Sequence, residues 1–143
     1  MYYTSKELKK FGVKKIGKSV KISNLVKFYN FKGSISDNTR IDDYVILKGN
    51  INIGKHVHIS SFCILTAPNV KSSITIGDFS GISAHTSIYA VSDDFTKSFL
   101  VNPTVKKNYT KPQLGHIKIG KCCLIGLKST LLPKCNLKDF VSI

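Results

Sequence analysis

The hydrophobic pattern is clearest near the C-terminus, between Ile117 and Ile143. A branched aliphatic recurs at every sixth position: Ile119, Ile125, Leu131, Leu137 and Ile143. Glycine follows the first two, as Gly120 and Gly126, and a small residue recurs four places after the aliphatic, as Cys123, Ser129, Cys135 and Val141. An amphipathic helix repeats near 3.6 residues and a half-buried strand near 2, so a sustained period of six fits neither. It fits a parallel β-helix, in which short extended segments alternate with corners. The aliphatic then points inward and stacks on its equivalent one coil away, roughly 4.8 Å along the axis. Glycine at the second position is expected to relieve the corner of a Cβ. The small fifth residue faces inward and the sixth faces out.

The same register runs through ISDNTR, IDDYVI, LKGNIN, IGKHVH, ISSFCI and LTAPNV from Ile35, and resumes after KSSIT with IGDFSG, ISAHTS and IYAVSD. Three hexapeptides make one three-sided coil. This places Ile35, Ile53, Ile76, Ile119 and Leu137 on a first face. Ile41, Ile59, Ile82, Ile125 and Ile143 fall on a second, and Leu47, Leu65, Ile88 and Leu131 on a third. The fold class expected is all-β, a single β-helix domain of about five coils. Residues 1–15 form an N-terminal cap with a short helix over TSKELKKF, opened by a Thr/Ser cap. The coils occupy 16–92 and 117–143, with one long loop excursion at 93–116. The last hexapeptide is cut at its first residue with no polar end-coil, so the C-terminus is expected to be truncated, since solenoids normally end in a cap.

The chain has 143 residues and a formal net charge of +14. Of its basic residues only Arg40 is arginine, and the lysines lie on the corners without interleaved aromatics, which argues against nucleic acid. No apolar run is long enough for membrane insertion, and the N-terminus lacks a secretory leader, so a cytoplasmic location is expected. Four cysteines lack metal-ligand spacing; Cys63, Cys123 and Cys135 fall on the small inward slot as buried thiols, with Cys122 on a corner. No metal is expected.

The repeat resembles the hexapeptide-repeat acyltransferases, and IDDYVIL, IGKHVHIS, IGDFSGIS, IYAVSDDF, NPTV and IGLKSTLLP resemble the branch that acetylates sugars for surface polysaccharides. The resemblance implies a left-handed parallel β-helix, acetyl-CoA as acyl donor, and a homotrimer with sites in the clefts between neighbouring coils. The acceptor would be a sugar, nucleotide-sugar or polysaccharide. The reading it favours is direct O-acetylation of a sugar hydroxyl; the alternatives are N-acetylation of an amino sugar and a catalytically degenerate trimeric scaffold. One departure stands out. Where many of these enzymes keep a His just before the loop, this chain has Asp93.

Direct transfer calls for a base near neutral pH and a donor for the developing oxyanion. His58 points outward from a flat face, with Arg40 one coil below and Gly81 one coil above. His116 closes the long loop, while His56 and His85 sit on corners. Asp93 and Asp94 open the loop, either as turn chemistry or as carboxylates serving a catalytic His. The catalytic candidates are thus His58, Asp93 and His116. Arg40, Asp42, Asp43 and Asp94 are candidates for binding the acceptor. Gly126, Lys128, Ser129 and Lys134 are candidates for CoA by resemblance, with lysines suited to its phosphates as point charges. The zinc enzymes of the same fold need a pair of His spaced H-x-x-x-x-H, which positions 56, 58, 85 and 116 do not supply.

Overall fold

In the computed structural model, which describes residues 1–143, the six-residue spacing closes the chain into a left-handed parallel β-helix. Hydrogen-bonded register follows the aliphatic columns. On the first face Ile16 pairs with Ile35, Ile35 with Ile53, Ile53 with Ile76, Ile76 with Ile119 and Ile119 with Leu137. On the second face Ile22, Ile41, Ile59, Ile82 and Ile125 pair in turn. On the third, Leu47, Leu65, Ile88 and Leu131 do the same. The first and third faces are not separate sheets: the strands Lys27–Ile35 and Ile46–Ile53 run unbroken round their shared edge.

Two local expectations change. The extra residues expected at KSSIT are present, since Ile53 pairs with Ile76, but they bulge out at the turn Pro68–Ser72, because Ser73–Ile76 is itself a strand in register with the coils on either side. It brings Ile74 into an additional buried column with Ile51 and Ile117. The second-position glycines also serve another purpose than corner freedom. The left-handed φ is taken by non-glycine corner residues such as Asn38, His56, Phe62 and Lys128. Gly54 and Gly77 are instead required by close stacking, since a Cβ on Gly77 would sit 2.6 Å from the Gly120 carbonyl carbon.

The fifth-position residues Thr39, Val45, Val57, Cys63, Ser80, Thr86 and Cys123 are all buried. Their hydroxyls do not remain orphaned: Thr39, Ser80 and Thr86 donate to the carbonyls of Gly54, Gly120 and Gly126. Cys135, expected in the same slot, is only half-buried. At the other end the helix Ser5–Lys10 carries a complete capping box between Thr4 and Glu7 and buries Leu8 against the first coil. Tyr3, Phe11, Phe28 and Phe31 pack around it in edge and stacked contacts.

The excursion contains short ordered pieces rather than pure loop. Val91–Ser92 pairs antiparallel with Gln113–Leu114, so the chain leaves and returns along one ribbon. No helix is long and apolar enough to cross a membrane.

Ile59 is fully buried in the middle of the second-face column. Ile59→Ala is expected to cost about 2–5 kcal/mol, read as a lower midpoint in urea unfolding. Ile143→Ala, at a half-exposed end position, should stay within about 0.5 kcal/mol.

Candidate active site

The second face is made of two-residue strands that each show one side chain inward and its neighbours outward. Two outward columns result. Lys21, Arg40, His58, Gly81 and Leu124 are in register along one. Beside it, Asp42, Ser60, Ser83 and Gly126 follow each inward isoleucine, bonding coil to coil through their amides. Arg40 below and Gly81 above His58 are where the repeat count puts them. A Cβ on Gly81 would meet only the Leu124 side chain, at 3.6 Å, so the space above the imidazole is open.

What the count does not give is a clamp across the two columns. Arg40 Nε donates to Asp42 Oδ1 at 2.6 Å, and His58 Nε2 lies 2.7 Å from Asp42 Oδ2. Burial pushes the Asp42 carboxyl up. The hydrogen bonds and charge of His58 and Arg40 outweigh it, and the group titrates below its ordinary value. The same contact raises the already high Arg40 value. Asp42 is therefore an acceptor at neutral pH. An acceptor on Nε2 selects the tautomer with hydrogen there, leaving the Nδ1 lone pair open as a base. A cavity of about 230 Å³ beside the clamp is lined by Arg40, Asp42, Asp43 and Ser61 together with Tyr2 of the cap.

The other candidates lie elsewhere. Asp93 Oδ2 accepts the Asn102 amide across the excursion. Asp94 is buried and accepts both the amide and the hydroxyl of Thr96, which hold its carboxyl below the usual range. Neither touches His58. His116 opens the strand His116–Ile119 on the first face and does not hang from the loop; its Nδ1 is 2.8 Å from Ser73 Oγ. The residues proposed for CoA divide between two edges. Gly126, Lys128 and Ser129 form the corner between second and third faces, where Ser129 Oγ donates to the Gly126 carbonyl. Lys134 lines a first-face cleft with His116. His56 and His85 are stacked corner residues, on Phe79 and Phe62 respectively.

No protein-family model matches the chain. It is 34% identical to the dTDP-4-amino-4,6-dideoxy-D-glucose acyltransferase of Escherichia coli, covering 99% of this chain and 74% of that protein. The chain belongs to the hexapeptide-repeat acyltransferases. Solved structures of AntD, an N-acyltransferase from Bacillus cereus, superpose at the same level. One, in complex with dTDP and 3-hydroxybutyryl-CoA, has a TM-score of 0.88 at 35% identity, over 99% of this chain and 74% of that one. Another, a variant in complex with dTDP-4-amino-4,6-dideoxyglucose and coenzyme A, has a TM-score of 0.90 at 35% identity, over 99% and 75%.

In this acyltransferase, Ser60 and Ser83 also face outward on the second face, although neither has a side chain that titrates near neutral pH. Their signal was present in the stacking count, one place after Ile59 and Ile82. The ion pair makes a testable contribution. Because the Asp42 value is lowered on folding, its stabilisation is present above the ordinary carboxylate range and is lost as pH falls through the lowered value. Asp42→Asn should cost less than about 1 kcal/mol at pH 7, given the exposure of its partners. The difference from the parent should vanish in acid, as followed by urea unfolding across pH.

Proposed function

We propose that this chain is an N-acyltransferase that moves the acetyl group of acetyl-CoA, or a related acyl group, onto the amino group of a dTDP-linked 4-amino-4,6-dideoxy sugar. The supporting observation is the likeness, over 99% of the chain, to an enzyme named for acylating that sugar and to AntD bound to it. Between the two acceptors weighed from the sequence, this favours the amino sugar over a sugar hydroxyl. Both substrates are cytoplasmic metabolites, which supports a cytoplasmic location, and the product would feed surface polysaccharide assembly.

In this reading the sugar amine attacks the thioester carbonyl, a C–N bond forms, and the C–S bond breaks to release CoA. The nitrogen loses a proton as the tetrahedral adduct forms, and His58 Nδ1 takes it while Asp42 holds the ring. Arg40 and Asp43 flank the acceptor. Gly126, Lys128 and Ser129 lie further up the same face and its corner, on the side from which CoA would approach.

Asp93 enters through a second subunit. The AntD structures include variants with one serine or one aspartate replaced, ten positions apart. Ser83 and Asp93 have that separation here and lie at nearly the same place along the chain. Ser83 is on the second face, whereas Asp93 lies beyond the far edge of the third. In the homotrimer proposed, a neighbour's excursion would bring Asp93 and Asp94 to the second face beside Ser83.

Thiol release from acetyl-CoA should occur with the dTDP-4-amino sugar and be absent with its 4-hydroxy counterpart; the reverse result would restore the hydroxyl acceptor. His58→Ala is expected to lower kcat by about 10²–10⁴ with thermal unfolding unchanged. An unaltered kcat would remove His58 from the chemistry.

A further inference from the structure

Every interruption of the six-residue period leaves the rod at one edge, between the third and first faces. The irregular pairing between Tyr29 and Lys32, the turn at Pro68–Ser72 and the long excursion all occur there. The last two meet around a cleft of about 570 Å³ on the first face. Lys71 comes from the turn, Gly115 from the end of the returning excursion, His116 and Lys118 from the strand that follows, and Lys134 from the corner above. No carboxylate lines it.

The cleft is held in shape by two features. A Cβ on Gly115 would lie 2.8 Å from the Lys134 backbone nitrogen and 2.6 Å from its Cγ, so the missing side chain lets Lys134 close in. Lys134 itself takes a left-handed φ of 73°. Ser73 Oγ lies 2.8 Å from His116 Nδ1. With the hydroxyl donating to Nδ1, the neutral ring carries its hydrogen on Nε2; in the charged ring both nitrogens carry one and Nδ1–H donates to the hydroxyl instead. The cleft is then lined by three lysines and an imidazole that carries N–H on Nε2, with no negative group to compete. Lysines bind phosphate in this way as point charges.

We propose that this cleft is a phosphoryl-binding site, taking a phosphomonoester or a pyrophosphate on Lys71, Lys118, Lys134 and the His116 Nε2–H. It is on another face from the Arg40–Asp42–His58 clamp of the same subunit, so a substrate that reaches both bridges two copies of the chain. The proposal rests on the reading of the chain as an acyltransferase using CoA and a dTDP-sugar, since each carries such a group: the 3′-phosphate of CoA or the pyrophosphate of the nucleotide.

Calorimetric titration of inorganic pyrophosphate, dTDP, CoA and dephospho-CoA tests it on three proteins: the parent, the cleft variant Lys71→Gln/Lys118→Gln/Lys134→Gln, and a control. The control, Lys14→Gln/Lys15→Gln/Lys32→Gln, removes equal charge from the other end of the same face, where those three lysines line a different hollow. Pyrophosphate affinity should fall about tenfold or more in the cleft variant, as loss of charged hydrogen bonds predicts, and less than about twofold in the control. A fall in CoA affinity without one for dephospho-CoA identifies the 3′-phosphate as occupant; a fall for dTDP identifies the pyrophosphate. Equal losses in both variants, or a parent that binds none of the four, would overturn the site. If the parent shows no acyl transfer yet loses pyrophosphate only in the cleft variant, the enzymatic reading fails and the site stands.

Discussion

The structure depends on backbone pairing between coils. Each short strand satisfies its amide and carbonyl groups with the coil below and above, as in Arg40 with His58 and His58 with Gly81. That pairing is possible only if the residues at equivalent positions are compatible through the whole stack. Inward positions therefore take aliphatics and small residues, and even the buried hydroxyls of Thr39, Ser80 and Thr86 find a carbonyl in a neighbouring coil. Where stacking is tightest, the glycines permit backbone to lie on backbone.

The constraint acts on half of each strand and leaves the outward half free. Outward side chains are nonetheless held at fixed spacing by the coils beneath them, so groups far apart in sequence become neighbours. Asp42 and His58 meet in this way, as do Ser73 and His116 across 43 residues. A rigid face that tolerates any outward residue suits chemistry that needs positioned groups more than movement. The edge between third and first faces is where the period is broken, and the same edge carries the excursion and the first-face cleft.

Charge is distributed unevenly over this scaffold. The chain has 8 acidic against 22 basic residues. Several of the acidic side chains serve the backbone: Asp37, Asp78 and Asp139 accept the amides of Lys18, Lys55 and Lys121 at alternate turns of one edge. Asp42 serves the clamp, while Asp93 and Asp94 pin the excursion. Lysines left without such partners make the first face basic, which suits phosphorylated ligands.

The period alone determined the β-helix, the assignment of each isoleucine and leucine to its face, and the position of His58 between Arg40 and Gly81. Those follow from counting, because a repeat that pairs with itself fixes its own register. Side-chain angles are not periodic, so only the tertiary structure decided that Asp42 reaches diagonally to His58 instead of facing the acceptor freely. It also moved His116 from a loop end onto a strand, because Ser73–Ile76 is a rung of the stack and draws His116–Ile119 into register above it. The division of Lys134 from Gly126, Lys128 and Ser129 follows from the count too, since they lie on opposite sides of the third-face Leu131, but their spatial neighbours do not. Residues one corner apart in sequence face different edges of the prism, and only the closed coil shows which neighbours each edge brings.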